Sequence, residues 1–372
     1  MSLRLTVALL ALGLVLVFWG TLAQVNLGLY KAQNDFFRSF FIYWSPAASS
    51  LRIPIFPGGY LIGWLLLINL FAAHLRYYQP GKKKYGIIMI HLGVVLLLFG
   101  QLLTDLLSRE SVMHLRNGET KNYSEASRQY ELAVVDTTEA ATEKVVAIPV
   151  SRLHQRADIR HPELPFTVRV KTFYSNSSLV EKSVPGYGKV EISAGFGSGI
   201  WWRELPHETD TDKRDMPSGI VELLTPKGSL GSYLVSAYLT RPQVLTCDGR
   251  RYELVLRLAR FYKPFNLHLM EFKHDIYPGT DIPKNFSSRV RLQRADTGED
   301  REVLIYMNNP LRYAGETYYQ ASFDPDNQGT ILQVVHNPSW LTPYFSCVLV
   351  GVGLLTQFLT QLVGFARKRK TS

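Results

Sequence analysis

The sequence predicts a membrane protein in which four transmembrane helices, three N-terminal and one C-terminal, carry a large β-rich extracytoplasmic domain. Three features support this fold class: four long apolar runs, an ordinary globular stretch between the third and fourth runs, and basic clusters beside the runs. A helix needs roughly 20 apolar residues to cross a hydrocarbon core of about 30 Å. The runs that meet or nearly meet this length lie at 5–23, 58–75, 85–104 and 342–364.

These runs divide the chain into an N-terminal membrane region at 1–104, a β-rich domain at 105–340, and a C-terminal helix with a basic tail at 341–372. The second run is the shortest and contains Asn69. The first run has two interpretations, because Arg4 precedes it and its end resembles a signal-peptide cleavage site. Its apolar stretch is longer than the roughly 7–15 residues of a signal peptide, which favours a retained helix.

Basic residues beside the runs predict the orientation. Short loops dense in lysine and arginine stay in the cytoplasm. Four spans place three basic segments on that side: Arg4, the 76–84 loop and the 367–370 tail. We therefore expect a bacterial inner-membrane protein with cytoplasmic termini and a periplasmic or otherwise extracytoplasmic domain. The net charge of +10 comes largely from these clusters, which indicates contact with anionic lipid rather than nucleic acid.

The loop between the first two spans is rich in aromatic residues over 31–56. It predicts a helix that lies in the membrane interface, with aromatic rings at headgroup depth around Lys31 and Arg38. Two interpretations stay open: a plain aromatic anchor, or the lining of a site for a flat hydrophobic ligand at the outer face. The aromatic side chains concerned are Phe36, Phe37, Phe40, Phe41, Tyr43 and Trp44.

The third span carries glycine at every seventh position, at Gly86, Gly93 and Gly100. Seven residues return to nearly the same side of a helix, so these glycines form one face. Small residues allow membrane helices to approach closely, and we expect this face to pack on a neighbouring helix. Cys347 and Gly351 predict a smaller surface of the same kind on the fourth span.

Two histidines lie at membrane depth or at its boundary. His91 is about seven residues into the third span, about 10 Å from the cytoplasmic end at 1.5 Å per residue. Ionisable groups there are costly and usually mark function, so His91 is either an interhelical hydrogen-bonding residue or a metal ligand. His74 ends the second span beside Arg76. Its position is explained if the side chain extends to the polar membrane interface, and a role as a metal ligand is the alternative.

The 105–340 stretch predicts strands, because short alternating or apolar runs are separated by turn residues. The clearest hairpin joins 288–294 to 301–307, with side chains 290, 292, 303, 305 and 307 on one face. The other predicted strands are 130–135, 144–150, 166–173, 232–239 and 252–261.

The common enzyme motifs for phosphate binding, zinc proteolysis and serine hydrolysis are absent from the sequence. His268 and His274 lie on one predicted strand, where a shared metal is possible but structural roles are the ordinary case. Two cysteines occur, Cys247 in the β-rich domain and Cys347 in the fourth span, and they form no Cys-x-x-Cys motif. Any thiol redox chemistry must therefore belong to a partner.

Taken together, several segments resemble the ResB/CcsB family of system II cytochrome c biogenesis proteins. The order of three spans, a large domain and a last span fits that family, as do Ser2–Thr6 and His91-Leu92-Gly93. The most specific stretches lie in the β-rich domain, and the likeness is weakest between about 137 and 250. These stretches are 275–286, 309–311, Gly315 and 319–324.

The resemblance implies a role in moving haem b across the membrane and attaching it to apocytochrome c, as an accessory subunit of a holocytochrome c synthase rather than as a catalyst. It implies a ResC/CcsA-type partner with a WWD segment, which must be a separate chain because Trp201-Trp202-Arg203 is not such a segment. A thioredoxin-like protein that reduces thiols is a further expected partner. His91 matches the haem-ligating histidine of the family.

With haem as the expected ligand, basic residues at the cytoplasmic mouth become candidates to meet its propionates. These residues are Arg76, Lys82, Lys83 and Lys84. The alternative function is a membrane-anchored scaffold or receptor whose outer domain binds a protein and never touches haem.

Overall fold

The structure is a computed structural model that describes residues 3–45, 51–77, 84–139, 142–209, 213–279 and 283–371. For residues 74–77, 283, 368, 370 and 371 it describes the backbone alone. The chain divides into two compact units. A helical unit contains residues 1–109 and 337–372, and a β unit contains residues 110–208 and 213–336.

Four long apolar helices confirm the predicted fold class. Three are long and apolar enough to cross a membrane, and the apolar part of the remaining one, at 59–73, is shorter. That shorter helix is the second predicted span, and its 19 residues extend about 28 Å at 1.5 Å per residue. The helices are α1 (Leu3–Leu27), α3 (Gly59–Tyr77), α4 (Tyr85–Leu107) and α6 (Thr342–Thr371).

The aromatic segment after α1 is only partly helical, so the predicted interfacial helix is wrong beyond residue 37. A short helix α2 (Leu29–Ala32) continues as a π-helix (Gln33–Phe37). The chain then forms an antiparallel hairpin of β1 (Phe41–Trp44) and β2 (Ile53–Pro57), in which only Ile42 of β1 is buried. β-Branched and aromatic residues favour paired strands, and pairing with β2 overrides the helical spacing of the aromatics.

The glycine face of α4 packs on α6, as predicted. A Cβ on Gly93 would lie 2.5 Å from Val350 Cγ2, and a Cβ on Gly86 would lie 2.7 Å from the carbonyl oxygen of Gly353. The prediction for α6 is wrong in detail: Gly351 has open space around it and Cys347 is exposed. Gly353 and Ser346 face α4 instead, because the register of α6 is set by its contact with α4 rather than by the small residues alone.

The β unit consists of strands with one short helix, α5 (Val150–His154). The strands of its first half are β3 (Arg109–Arg116), β4 (Thr120–Asp136), β5 (Lys144–Pro149), β6 (Asp158–Ile159), β7 (Thr167–Tyr174), β8 (Ser177–Val180), β9 (Gly188–Lys189), β10 (Trp201–Glu204), β11 (Ser218–Thr225) and β12 (Gly228–Ser236). The strands of its second half are β13 (Gln243–Cys247), β14 (Arg250–Ile276), β15 (Pro283–Arg294), β16 (Glu299–Tyr306), β17 (Leu311–Tyr313), β18 (Glu316–Phe323) and β19 (Gly329–His336).

The described strands of the β unit form three sheets. The largest runs in the order β16-β15-β14-β4-β3-β19-β18-β17, with β13 and β5 paired to β14 and β4. A second sheet has the order β12-β11-β7-β6, and a third has the order β8-β10-β9. The pairings of β11 with β12, β14 with β15, β14 with β4 and β15 with β16 are antiparallel, which suits sheets with one face on a core.

The long strand β14 contributes side chains to two hydrophobic cores of the β unit. One core takes Leu132 and Val134 of β4 and Leu254 of β14, against β7, β11 and β12. The other takes Leu267 and Leu269 of β14, against β15, β16, β18 and β19. The pairing of β14 with β4 shifts register after Leu258 and again after Tyr262, which lets one strand serve both cores.

The predicted hairpin is confirmed as β15 and β16, with Val290 opposite Val303 and Ser288 opposite Ile305. Val290, Leu292 and Ile305 are fully buried. Met307 is the exception, because β16 ends at Tyr306 and Met307 is 40% exposed. Tyr306 and Asn309 form a bridge there, so the chain turns before residue 307 can continue the alternation.

A buried ion pair joins β14 to β18 in the second core. Lys263 Nζ contacts Glu316 Oε1, and the two side chains are only 5% and 9% exposed. Tyr318 donates a 2.8 Å hydrogen bond to the other carboxylate oxygen. Burial, followed by the charge of Glu316, raises the pKa of Tyr318, so the phenol stays a donor. Burying a charge is costly in free energy unless an opposite charge pairs with it.

We expect Lys263→Met to lower the free energy of unfolding of the β unit by about 3–5 kcal/mol, because it leaves the Glu316 carboxylate buried without its cation. Urea unfolding of the full chain in detergent, followed by the far-UV circular dichroism of strands, measures this. The double change Lys263→Met with Glu316→Leu should recover most of the loss, because both charges are then gone.

The matched control is Lys227→Met, which removes an exposed pair with Asp248 (86% and 64% exposed) and should change stability by no more than about 0.5 kcal/mol. Equal unfolding midpoints for the two lysine variants would contradict a role for the buried pair.

The glycine face makes a second prediction. Gly93→Ile should destabilise the α4–α6 pair by about 1–3 kcal/mol or more, because its side chain meets Val350 and the Ser346 carbonyl. Gly351→Ile is the control on the same helix pair, since open space surrounds Gly351. The midpoint of heat-induced aggregation in detergent, read by size-exclusion chromatography, should fall for the first variant alone.

Candidate functional site

A cavity of about 530 Å³ lies in the helical unit, between the α2 segment, α3 and α4. Its walls are mostly apolar, with a small set of polar groups at one end, which is the composition of many small-molecule sites. The lining consists of Leu29, Gln33, Phe37, Arg38, Gly59, Tyr60, Gly63, Trp64, Leu67, Leu98, Phe99, Gln101, Leu102 and Asp105.

The segment after the π-helix is held against the first turn of α3. A Cβ on Gly58 or Gly59 would collide with the carbonyl oxygens of Ser39 and Phe37, so only glycine permits this approach. In return, Gly58 N–H donates to the Phe40 carbonyl at 2.8 Å, and Tyr60 N–H donates to the Ser39 carbonyl at 3.1 Å. These bonds satisfy two donors at the start of a helix and set the position of Arg38.

Arg38, Tyr60 and Asp105 form the polar end of the cavity. Arg38 Nε lies 3.1 Å from Asp105 Oδ1, and the Tyr60 hydroxyl donates to Asp105 Oδ2. The Asp105 side chain is 17% exposed and that of Arg38 is 52% exposed. One carboxylate near the end of α4 therefore holds both α3 and the segment after the π-helix, and it orients the guanidinium.

One face of α4 connects this cavity to His91. Lys84, His91, Leu98 and Asp105 follow one another at intervals of seven residues, and each interval is about 10 Å along the axis. Leu98 and Asp105 line the cavity. Lys84 occupies the position before the first residue of the helix and makes no capping hydrogen bond through its side chain. Along one stripe, a cation, an imidazole, a leucine and a carboxylate thus follow in order.

His91 is half-buried and lies away from the α6 contact. It is two residues from Gly93, which places it about 200° around the helix from the glycine face. His74 lies on α3, seven residues from Leu67 and fourteen from Tyr60, so the three share a face by backbone register. Tyr60 reaches Asp105, and His74 and His91 each lie fourteen residues from that pair along their own helices.

The remaining predicted entry residues are mostly beyond what the structure describes. Lys82 and Lys83 lie outside the described residues, and the side chains of His74 and Arg76 do too. The haem-ligand and entry roles predicted for His91, His74 and the basic loop therefore stay predictions.

The histidines of the β unit do not come together. Thr120 Oγ1 is 2.9 Å from His268 Nδ1, while Asn327 Oδ1 is 3.0 Å from His274 Nδ1. In the described part of the chain, three or more histidine, cysteine, aspartate or glutamate residues nowhere gather as a metal site would require. Burial, followed by the charge of Asp248, raises the pKa of the Cys247 thiol, which disfavours the reactive thiolate.

The stretches that carry the family resemblance lie at strand ends and turns. Residues 275–276 end β14, Gly315 adopts a positive φ of 79° between β17 and β18, and Phe323 ends β18. Asp324 accepts from His114 Nε2 at 2.9 Å. These residues shape the sheet, and none of them lines the cavity.

The sequence analysis missed Tyr60, Trp64 and Asp105 as site residues. A carboxylate near the end of an apolar run was the available signal, because such a group must find a cation or donors. Its partner Arg38 was noted only as part of the aromatic segment, since the 66 residues between the two hide the contact. Of the aromatics in that segment, Phe37 lines the cavity, while Phe40, Phe41, Tyr43 and Trp44 are exposed.

Comparison with known proteins confirms the predicted resemblance. Residues 242–331 match the ResB-like family. Protein NrfI of Wolinella succinogenes is 26% identical over 306 residues, which cover 80% of this chain. The chain spans about 30% of the length of that relative.

We expect Asp105→Ala to release the segment after α2, because the carboxylate joins it to α3 and α4. Losing about 1 kcal/mol of hydrogen-bond energy raises the fraction of molecules in which this segment is detached about fivefold. Trypsin cleavage after Lys31 or Arg38, followed by mass spectrometry under native conditions in detergent, should accelerate by that factor.

Asp35→Ala is the control, since Asp35 is exposed in the same segment. Equal cleavage rates in the two aspartate variants would show that Asp105 does not hold the segment.

Proposed function

We propose that this chain is the ResB-type subunit of a system II cytochrome c synthetase. In this role it helps to carry haem b from the cytoplasmic to the outer side of the membrane and to attach it to apocytochrome c. The single observation that best supports the proposal is the stripe on α4. It sets His91 between a basic end at Lys84 and an apolar cavity at Leu98.

His91 suits a transient haem ligand. A neutral imidazole binds iron through one nitrogen and takes a hydrogen bond partner on the other. An ionisable side chain within an apolar helix is costly, and a ligand role explains why it is there. Four turns of α4 separate His91 from Asp105, and the sequence between them contains no ionisable residue. Haem, with a flat apolar body, can pass such a surface without meeting a fixed charge.

The basic loop supplies the entry side. In the proposed orientation, Arg76 and Lys82–Lys84 lie at the cytoplasmic mouth, where their charges attract the two propionates of haem. The proposed orientation also puts the cavity at the outer end of α3 and α4. His74 lies as many residues from Tyr60 on α3 as His91 lies from Asp105 on α4, and it is the candidate second ligand on this chain.

The partners follow from the family resemblance. A ResC/CcsA-type protein with a WWD segment would hold haem at the outer face, and the β unit would present apocytochrome c. The thioether bonds need reduced thiols, while the only described cysteine of the β unit, Cys247, is buried. A thioredoxin-like protein is therefore the proposed source of reducing equivalents.

The complex purified with its partner should contain haem, and His91→Ala should lower the haem content at least about tenfold with protein level unchanged. The loss is expected because the iron loses its axial nitrogen. The pyridine haemochrome spectrum per mole of protein measures it, and added imidazole should restore part of the haem by filling the space of the missing ring.

The control is His161→Ala, an exposed histidine of the β unit. Full haem content and normal c-type cytochrome maturation in His91→Ala would refute the ligand assignment. A colourless complex, with normal maturation after deletion of the gene, would favour the alternative, a membrane-anchored scaffold whose outer domain binds a protein.

A further inference from the structure

We infer that the cavity between the α2 segment, α3 and α4 is a second haem station on this chain, with Arg38 contacting a propionate. The inference rests on the proposed function, since it takes haem as the molecule that travels along α4. It adds a site, a ligand orientation and a specificity-determining residue that the resemblance does not supply.

The walls of the cavity fit a large flat apolar ligand. The volume of about 530 Å³ is in the middle of the range for small-molecule sites, about 300–1,000 Å³. Phe37, Trp64 and Phe99 contribute aromatic surface from three different elements. Gly59 and Gly63 leave one wall of α3 without side chains, and open space surrounds Gly63. Flat aromatic surfaces stack well on a macrocycle.

The polar end provides charge complementarity for a carboxylate. A guanidinium carries five N–H donors, and Arg38 uses Nε on Asp105. Its two terminal nitrogens can still donate to a ligand carboxylate in a bidentate manner. Asp105 neutralises part of the charge and is in turn satisfied by Tyr60, so it acts as a positioning residue. It holds Arg38 at the rim while the half-exposed guanidinium still reaches a ligand.

The location of the cavity makes it the next station after His91. Leu98 is seven residues beyond His91 on the same stripe, about 10 Å away. Among the described lining residues there is no histidine, methionine or cysteine, and the Tyr60 hydroxyl is engaged with Asp105. Haem in the cavity would thus be held by its edges and its propionates, with weak ligation of the iron. A weakly ligated haem can be passed on.

The test separates this site from His91 by using the His91→Ala variant in phosphatidylcholine nanodiscs. Haemin and haemin dimethyl ester are titrated, and empty nanodiscs are subtracted to remove partition into lipid. Quenching of Trp64 fluorescence reports occupancy of the cavity, and the same titration of Trp64→Phe identifies that component. The ester keeps the macrocycle and lacks both carboxylates.

The expected result is binding of haemin at least about tenfold tighter than of the ester, since a charge-assisted hydrogen bond is lost with the carboxylates. Arg38→Gln should lower the affinity for haemin by that factor and leave the affinity for the ester unchanged. Arg52→Gln, an exposed arginine of the neighbouring hairpin that does not line the cavity, should change neither.

A second perturbation does not depend on charge. Gly63→Leu fills the cavity from a position where a side chain meets nothing within 4 Å, so the protein should fold and lose affinity for both ligands. Gly351→Leu is the matched control on α6, where open space also surrounds the glycine.

Three outcomes would overturn the inference. These are no Trp64-dependent binding, equal affinity for haemin and ester, and a difference that survives Arg38→Gln. The second outcome would instead indicate a neutral amphipathic occupant such as a quinone or lipid. Haem retained by the wild type, without Trp64-dependent haemin binding in the titration of His91→Ala, would refute this second station alone. A wild-type complex without haem would refute the proposed function.

Discussion

The close approach of α4 and α6 is the contact on which the proposed haem path depends. Gly86, Gly93 and Gly100 present backbone to α6, and a side chain at any of them would meet Gln357, Val350 or Thr342. The contact settles the rotation of α4 about its own axis. His91, Leu98 and Asp105 then have to lie on another side, turned about 140–160° from the nearest glycine. Two sets of residues on α4 therefore each repeat every seven positions. One set packs on α6, and the other is the stripe that carries His91, Leu98 and Asp105.

A second constraint is the cost of a carboxylate within an apolar helix bundle. Asp105 would be expensive there alone, and it is satisfied by a guanidinium and a phenol from two other elements. That requirement draws the segment after the π-helix onto α3, where Gly58 and Gly59 allow backbone to touch backbone. The space left between these three elements is the cavity. The polar cluster and the cavity therefore have one cause.

The most specific stretches of the family resemblance lie in the β unit, whereas the cavity and His91 lie in the helical unit. The matched stretch at 242–331 runs from β13 into β19, and its distinctive positions terminate strands, form turns or fill the second core. The buried pair of Lys263 and Glu316 belongs to that region. The β unit thus carries the match to the ResB-like family, whereas the helical unit holds the polar groups that line the cavity. Likeness of fold alone would not have located the site.

What the sequence by itself determined are features with a local period. Apolar length predicted the helices, a seven-residue glycine interval predicted the packing face of α4, and alternation predicted the β15–β16 hairpin. The tertiary structure alone decided the features that depend on distant partners. Arg38 and Asp105 are far apart in the chain, so no local pattern could join them. Pairing with β2 turned part of an expected interfacial helix into β1. Contact with α4, rather than the small residues themselves, selected Gly353 over Gly351. Periodicity states which residues share a face, and only packing states what that face meets.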